Sequence, residues 1–118
     1  MKCKAIIISI KGTRLTKREK NLFSKYRPWG VILFKRNLKT IKQIKHLILN
    51  IKKLTKKNKF PILIDEEGIR VSRLTEIISH KFTAQYFGDL YKRNKTFCEN
   101  IYRHYIYSLS KTLRDLGF

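Results

Sequence analysis

Residues 60–64, Phe-Pro-Ile-Leu-Ile, form a continuous apolar run that ends at Asp65. A run without alternation of apolar and polar residues is typical of a strand that is covered on both faces, as in a parallel sheet with helices packed outside. Two similar runs precede it, at residues 4–10 and 30–34, and the three runs begin about 26 and 30 residues apart. That spacing suits strand–helix–strand units, so we predict an α/β fold with parallel strands.

Helix signals lie between these runs. Thr16 and Glu19 make a capping-box pattern that predicts a short helix through about Lys25. Thr40 precedes apolar residues at helical spacing that continue to Leu54, which predicts a longer helix.

The second half of the chain continues with loop and helix patterns. After Asp65 we predict a polar loop to about His80 and a short helix over residues 82–91. A longer helix is expected over roughly residues 95–116, because apolar residues recur there on one face and Gly117 is a good helix stop.

The charge is spread unevenly over the 118 residues, whose formal net charge is +20. Residues 1–59 hold 19 of the 28 Lys and Arg and one of the 8 acids. Such a basic half attracts polyanions, so a small nucleic-acid-binding protein is one interpretation. The other interpretation is compositional, with surface lysine as neutral filler, and no nucleic-acid-binding signature favours the first. The hydrophobic content of 42% excludes a disordered chain.

No apolar run approaches the ~18–20 residues of a membrane span, and the run at residues 4–10 is short for a signal peptide. We therefore expect a cytoplasmic protein without a membrane partner. Cys3 and Cys98 have neither a disulfide framework nor metal-ligand spacing, so we expect no metal and no cofactor.

The densest polar cluster directly follows the apolar run at 60–64. Residues 65–73 read Asp-Glu-Glu-Gly-Ile-Arg-Val-Ser-Arg. In α/β folds ligands bind at the carboxyl ends of parallel strands, where the strand-to-helix loops converge. Carboxylates there can accept hydrogen bonds from sugar hydroxyls, and arginines can donate to ligand oxygens. The alternative is a self-paired salt-bridge loop that caps the sheet.

Two motifs together resemble the N-terminal part of family 3 glycoside hydrolases, in particular the bacterial β-N-acetylhexosaminidases that recycle cell-wall fragments. Residues 30–37, Gly-Val-Ile-Leu-Phe-Lys-Arg-Asn, are similar to the end of one family strand, and residues 64–74 are similar to the Asp-Gln-Glu-Gly-Gly-(Arg/Lys)-Val-x-Arg segment. Residues 12–19 also look like the family's first strand-to-helix connection. The resemblance is strong over residues 4–74 and weak from residue 75 onward.

The resemblance implies a (β/α)8 TIM barrel and a retaining O-glycosyl hydrolase that acts on terminal N-acetylglucosamine of wall fragments. It implies that Asp65 binds sugar hydroxyls, and that Arg70 and Arg73 belong to the substrate-binding residues. Glu67 and Gly68 match positions that structure the loop.

Two residues depart from the family pattern. Glu66 stands where the family has Gln, and Ile69 replaces the second Gly. If that glycine needs a positive φ, a β-branched residue is costly there, and we expect an altered ligand geometry.

The chain also lacks the family's catalytic motifs, so we assign no catalytic residue and do not expect the 118 residues to be active alone. His46 and His104 lie on polar helix faces, and we predict no partner for His80. A barrel takes ~250 residues, so these 118 supply about three strand–helix units. We expect one partial barrel domain over residues 1–118, either a fragment, which we favour, or a chain that assembles with another. A further alternative is a carbohydrate-binding remnant without catalysis.

Overall fold

The computed structural model describes residues 3–56 and 59–118. Its elements follow each other as β1 (Lys4–Ser9), α1 (Lys17–Tyr26), β2 (Pro28–Leu33), a 3-10 turn (Lys35–Asn37), α2 (Ile41–Thr55), β3 (Ile62–Ile64), α3 (Ala84–Arg93) and α4 (Lys95–Leu116). The polar residues 56–59, Lys-Lys-Asn-Lys, predict a loop between the second helix and the third strand, and its Lys57 and Asn58 lie outside the described residues.

The three strands form one sheet in the order β1-β2-β3. Both pairs are parallel, and Val31 of β2 stands opposite Ile62 of β3. The predicted α/β fold with parallel strands is therefore confirmed. Gly30 of β2 suits this close pairing, because a Cβ at that position would lie 3.1 Å from the carbonyl oxygen of Pro61 and would require the neighbouring strand to shift by a few tenths of an ångström.

The core lies between the sheet and α2, whose apolar stripe is buried, and the end of α4 closes it. Leu116 is buried in this core, and the Lys52 ammonium of α2 donates to the carbonyl oxygen of Gly117 at 2.6 Å. The buried apolar residues of this core are Ile10, Phe23, Val31, Leu33, Leu38, Ile44, Leu47, Ile48, Ile51, Phe60, Ile62, Leu74 and Leu116.

Each of the predicted helices begins directly after a capping residue. The Thr16 hydroxyl accepts from the backbone N–H of Glu19, which completes the predicted capping box, and the Thr40 hydroxyl accepts from that of Gln43. The short helix begins at Ala84, two residues later than predicted, because the Thr83 hydroxyl caps it by accepting from the N–H of Tyr86. The predicted bounds of the long helix match α4, which ends at Gly117 in the left-handed conformation.

The predicted burial of every strand on both faces is wrong for β1. Ile6 and Ile7 are 51% and 43% exposed, whereas Val31 and Leu33 of β2 are fully buried. Among the described residues β1 pairs with β2 alone, so it lies at a sheet edge and keeps part of its apolar surface in water.

A buried asparagine holds the carboxyl ends of β1 and β2 together. The Asn37 side-chain amide donates to the carbonyl oxygens of Ile10 (3.1 Å) and Gly12 (2.9 Å), and its oxygen accepts from the N–H of Phe34 (2.9 Å). Asn37 has no exposed surface. Because buried backbone groups must be paired, these three bonds set how the two strands end side by side.

No helix within residues 3–56 and 59–118 is long and apolar enough to cross a membrane.

Replacing Asn37 by Ala should lower the free energy of unfolding by about 2–3 kcal/mol, because it removes the three hydrogen bonds that a fully buried amide makes to the backbone of Ile10, Gly12 and Phe34. Urea unfolding followed by circular dichroism measures this loss. The matched control is Asn100→Ala on the exposed face of α4, which should change stability by less than ~0.5 kcal/mol. Equal losses in the two variants would contradict the role of Asn37.

Candidate functional site

Asp65 directly follows β3, at the edge of the sheet where the parallel strands end. Its Oδ2 lies 4.0 Å from Nη2 of Arg73, and the side chains of Asp65 and Arg73 are 46% and 30% exposed. The structure thus brings together two of the three predicted substrate-binding residues. The pair is open to water, so it remains available to a ligand.

The ring of Phe34, directly after β2, packs against Arg73 of this pair. The Arg73 guanidinium lies 5.7 Å from the ring centre of Phe34, and the Arg36 guanidinium lies 4.7 Å from the same ring. Arg36 is tied to the end of β1 because its Nε donates to the carbonyl oxygen of Ile10 at 3.2 Å. Residues from the ends of all three strands therefore meet at this edge. The carboxylate and guanidinium groups there can exchange hydrogen bonds with a polyhydroxylated ligand, while the Phe34 ring packs against the guanidinium groups.

The neighbouring carboxylate, that of Glu66, points into the protein. Its side chain is 2% exposed. Oε2 accepts from the backbone N–H groups of Arg73 (2.9 Å) and Leu74 (3.3 Å), and Oε1 lies 2.6 Å from Nε2 of His80. A buried carboxylate is tolerated only with such partners. Glu66 therefore closes the loop by joining its first residues to its last.

His80 continues this network to α4. Its Nδ1 lies 2.6 Å from the hydroxyl of Tyr105, and its side chain is 3% exposed. The prediction that His80 has no partner is wrong. His46 and His104 are exposed on their helices, as predicted.

Two members of the network, Glu66 and Tyr105, have shifted pKa values. Burial would raise the pKa of Glu66, but donors outweigh burial and hold the pKa below its usual value of 4.5, among them the N–H groups of Arg73 and Leu74 and the side chain of His80. Burial, together with the charge of Glu66 and the nearby Tyr102, raises the pKa of Tyr105. The ionised Glu66 carboxylate can only accept, so Nε2 of His80 donates to it, and the direction of the bond between Nδ1 and the Tyr105 hydroxyl depends on the tautomer of His80.

The remaining predicted residues occupy the outer part of the loop. Arg70 and Glu67 are exposed and line a cleft of about 340 Å³ against the start of α3. The backbone N–H of Glu67 donates to the carbonyl oxygen of Val71 at 2.8 Å, whereas the carboxylate that bonds to the loop backbone is that of Glu66. The substrate-binding role of Arg70 stays a prediction.

The glycine requirement of the loop falls on Gly68, whose φ is +119°. Ile69 is not among the residues with positive φ and is 51% exposed. The backbone cost that we expected from a β-branched residue at position 69 is therefore absent.

The network of Glu66, His80 and Tyr105 could not be found from sequence spacing. Glu66 and His80 are 14 residues apart, and His80 and Tyr105 are 25 residues apart. The one sequence signal of a buried carboxylate was Glu66 itself, which is the second of three consecutive acidic residues directly after a buried strand. Within residues 3–56 and 59–118, no three His, Cys, Asp or Glu side chains are grouped as metal ligands.

Stability should depend on pH through Glu66. Its pKa is lower in the folded than in the unfolded chain, so its stabilising contribution is present above pH ~4.5 and is lost as the pH falls through the folded pKa. Urea unfolding of the wild type between pH 3 and 7 should therefore show a steeper loss of stability than that of Glu66→Gln. In the exposed control Glu67→Gln the pH profile should run parallel to the wild type. A parallel profile for Glu66→Gln would refute the assignment.

Comparisons with known proteins show what the sequence and the fold of the chain are similar to. No family model matches the chain. A beta-hexosaminidase of Thioalkalivibrio sulfidiphilus is 31% identical over 112 residues, which are 95% of this chain and 32% of that protein. A beta-hexosaminidase of Haemophilus ducreyi is 40% identical over 90 residues, 74% of this chain and 25% of that protein. This chain thus spans about a third or less of the length of these relatives.

The solved structure of NagZ from Neisseria gonorrhoeae superposes with a TM-score of 0.73 and 31% identity, covering 81% of this chain and 29% of that one. These matches confirm the resemblance inferred from residues 30–37 and 64–74. The chain is thus a homologue of part of the bacterial beta-hexosaminidases and has the fold of NagZ, a family 3 glycoside hydrolase, over about a third of their length.

Proposed function

We propose that this chain is the sugar-binding, amino-terminal part of a retaining β-N-acetylhexosaminidase, an O-glycosyl hydrolase that removes terminal N-acetylglucosamine from cell-wall fragments in the cytoplasm. The observation that carries the proposal is the half-exposed Asp65 carboxylate, which directly follows β3 and faces Arg73. Ligands of α/β folds bind at this edge.

The chemistry of the pair suits a sugar. The two oxygens of Asp65 can accept from adjacent hydroxyls of a pyranose, and such hydrogen bonds to a charged group are stronger than neutral ones. Arg73, 4.0 Å away, balances the charge of the carboxylate and can donate to a ligand oxygen. The Phe34 ring packs beside the Arg73 guanidinium and helps to hold it near Asp65.

The sheet supports the idea of a larger barrel. Three parallel strands are fewer than the eight of a closed barrel. The exposed Ile6 and Ile7 of β1 are apolar surface that a further element would bury. We propose that the chain forms the first strand–helix units of a TIM barrel, and that bond cleavage depends on catalytic groups that its own residues do not include.

Asp65 should dominate sugar binding. We expect the wild-type chain to bind N-acetylglucosamine saturably, and Asp65→Asn to weaken binding by roughly 10- to 100-fold, because hydrogen bonds to a charged group are each worth about 1.5–3 kcal/mol. An NMR titration of the ¹⁵N-labelled chain measures both affinities.

Glu67→Gln is the matched control, since it removes the charge of an exposed carboxylate in the same loop. Its affinity should stay within about twofold of the wild type. Failure of the wild type to bind, or equal affinities for wild type and Asp65→Asn, would refute the proposed function.

A further inference from the structure

We propose that Glu66, His80 and Tyr105 form a positioning network that holds the Asp65–Arg73 pair in its sugar-binding geometry from the rigid helix α4. This inference rests on the proposed function of Asp65. None of the three side chains is proposed to touch the sugar, so all three are positioning residues.

Glu66 acts next to both members of the Asp65–Arg73 pair. Glu66 follows Asp65 in the chain, and its Oε2 accepts from the backbone N–H of Arg73 at 2.9 Å. The buried carboxylate thus holds both ends of the loop, one residue away from the sugar-binding carboxylate and at the backbone of its guanidinium partner. A shift of Glu66 must move both members of the pair that faces the ligand.

Glu66 is itself held by His80 and Tyr105. Its Oε1 is bonded to His80 at 2.6 Å, and His80 is bonded to Tyr105 at 2.6 Å. Tyr105 belongs to α4, a helix of 22 residues capped at both ends. A site residue supported by regular secondary structure is placed more accurately than one that depends on its own loop. The network therefore transfers the rigidity of α4 to the loop.

Aromatic packing restricts the far end of the network. The Tyr105 ring lies 5.4 Å from Phe87 of α3 and 6.4 Å from Phe82, measured between ring centres. His80 packs edge-on against the same ring at 6.2 Å. The phenol therefore has a fixed direction, which an exposed tyrosine would lack.

The hydrogen bonds of His80 give it a role that packing of its ring alone would not. His80 is bonded to Glu66 on the loop side and to Tyr105 on the α4 side, and the Tyr102 ring lies 6.4 Å from that of Tyr105 between ring centres. A neutral imidazole donates from one nitrogen and accepts at the other, so it satisfies both neighbours at once. A glutamine can do the same with its amide, whereas alanine can do neither. Rescue by glutamine is therefore the signature of a hydrogen-bonded positioning role.

The test compares three variants in NMR titrations with N-acetylglucosamine. His80→Ala should weaken binding at least about tenfold, because the support of Glu66 is lost, and His80→Gln should bind within about threefold of the wild type. Tyr105→Phe, which removes one oxygen, should weaken binding by about three- to tenfold. His104→Ala, an exposed histidine of α4, is the matched control and should bind as the wild type does.

The same spectra separate this inference from the proposed function. In the absence of sugar, the amide signals of Asp65 and Arg73 should move in His80→Ala and stay near their wild-type positions in His80→Gln. Unmoved signals in His80→Ala overturn the inference, as does wild-type sugar affinity in that variant. If His80→Ala does not fold, wild-type affinity in Tyr105→Phe overturns it. A wild type that binds no sugar refutes the proposed function, and the amide signals still decide the positioning role.

Discussion

A buried negative charge organises the region on which function depends. The Glu66 side chain is almost completely enclosed, so its carboxylate must find donors within the protein. It finds them in two backbone N–H groups of its own loop and in His80, which Tyr105 links to α4. Because an unpaired buried charge is expensive, the loop and the helix can occupy few relative positions. The exposed Asp65 takes its place beside Arg73 within that constraint.

The fold was largely predictable because its signals are local. The spacing of three apolar runs predicted parallel strands, and caps such as Thr16 marked where helices begin. The burial of β1 was not predictable, since it depends on which neighbours a strand has and not on its own composition. The pairing of Glu66 with His80 was missed for the same reason, because side chains 14 residues apart meet only after the chain has folded.

The candidate site combines two residues that the sequence identified with others that only the structure connects. Asp65 and Arg73 came from the motif and meet in space. Arg70 is exposed on another side of the loop, and its role stays a prediction. Nucleic-acid binding also stays a prediction of the basic residues 1–59. The proposed sugar binding rests on the homology to part of the beta-hexosaminidases and on the strand-end position of Asp65.

The central claim, that the Glu66 carboxylate fastens the loop from inside, is tested most directly by amide hydrogen exchange at Arg73 and Leu74. Neither N–H belongs to a helix or strand, and the Glu66 carboxylate is the hydrogen-bond acceptor that the structure gives to both. We predict that both amides exchange at least about tenfold more slowly than in an unstructured peptide. Exchange at the unstructured rate would contradict the account.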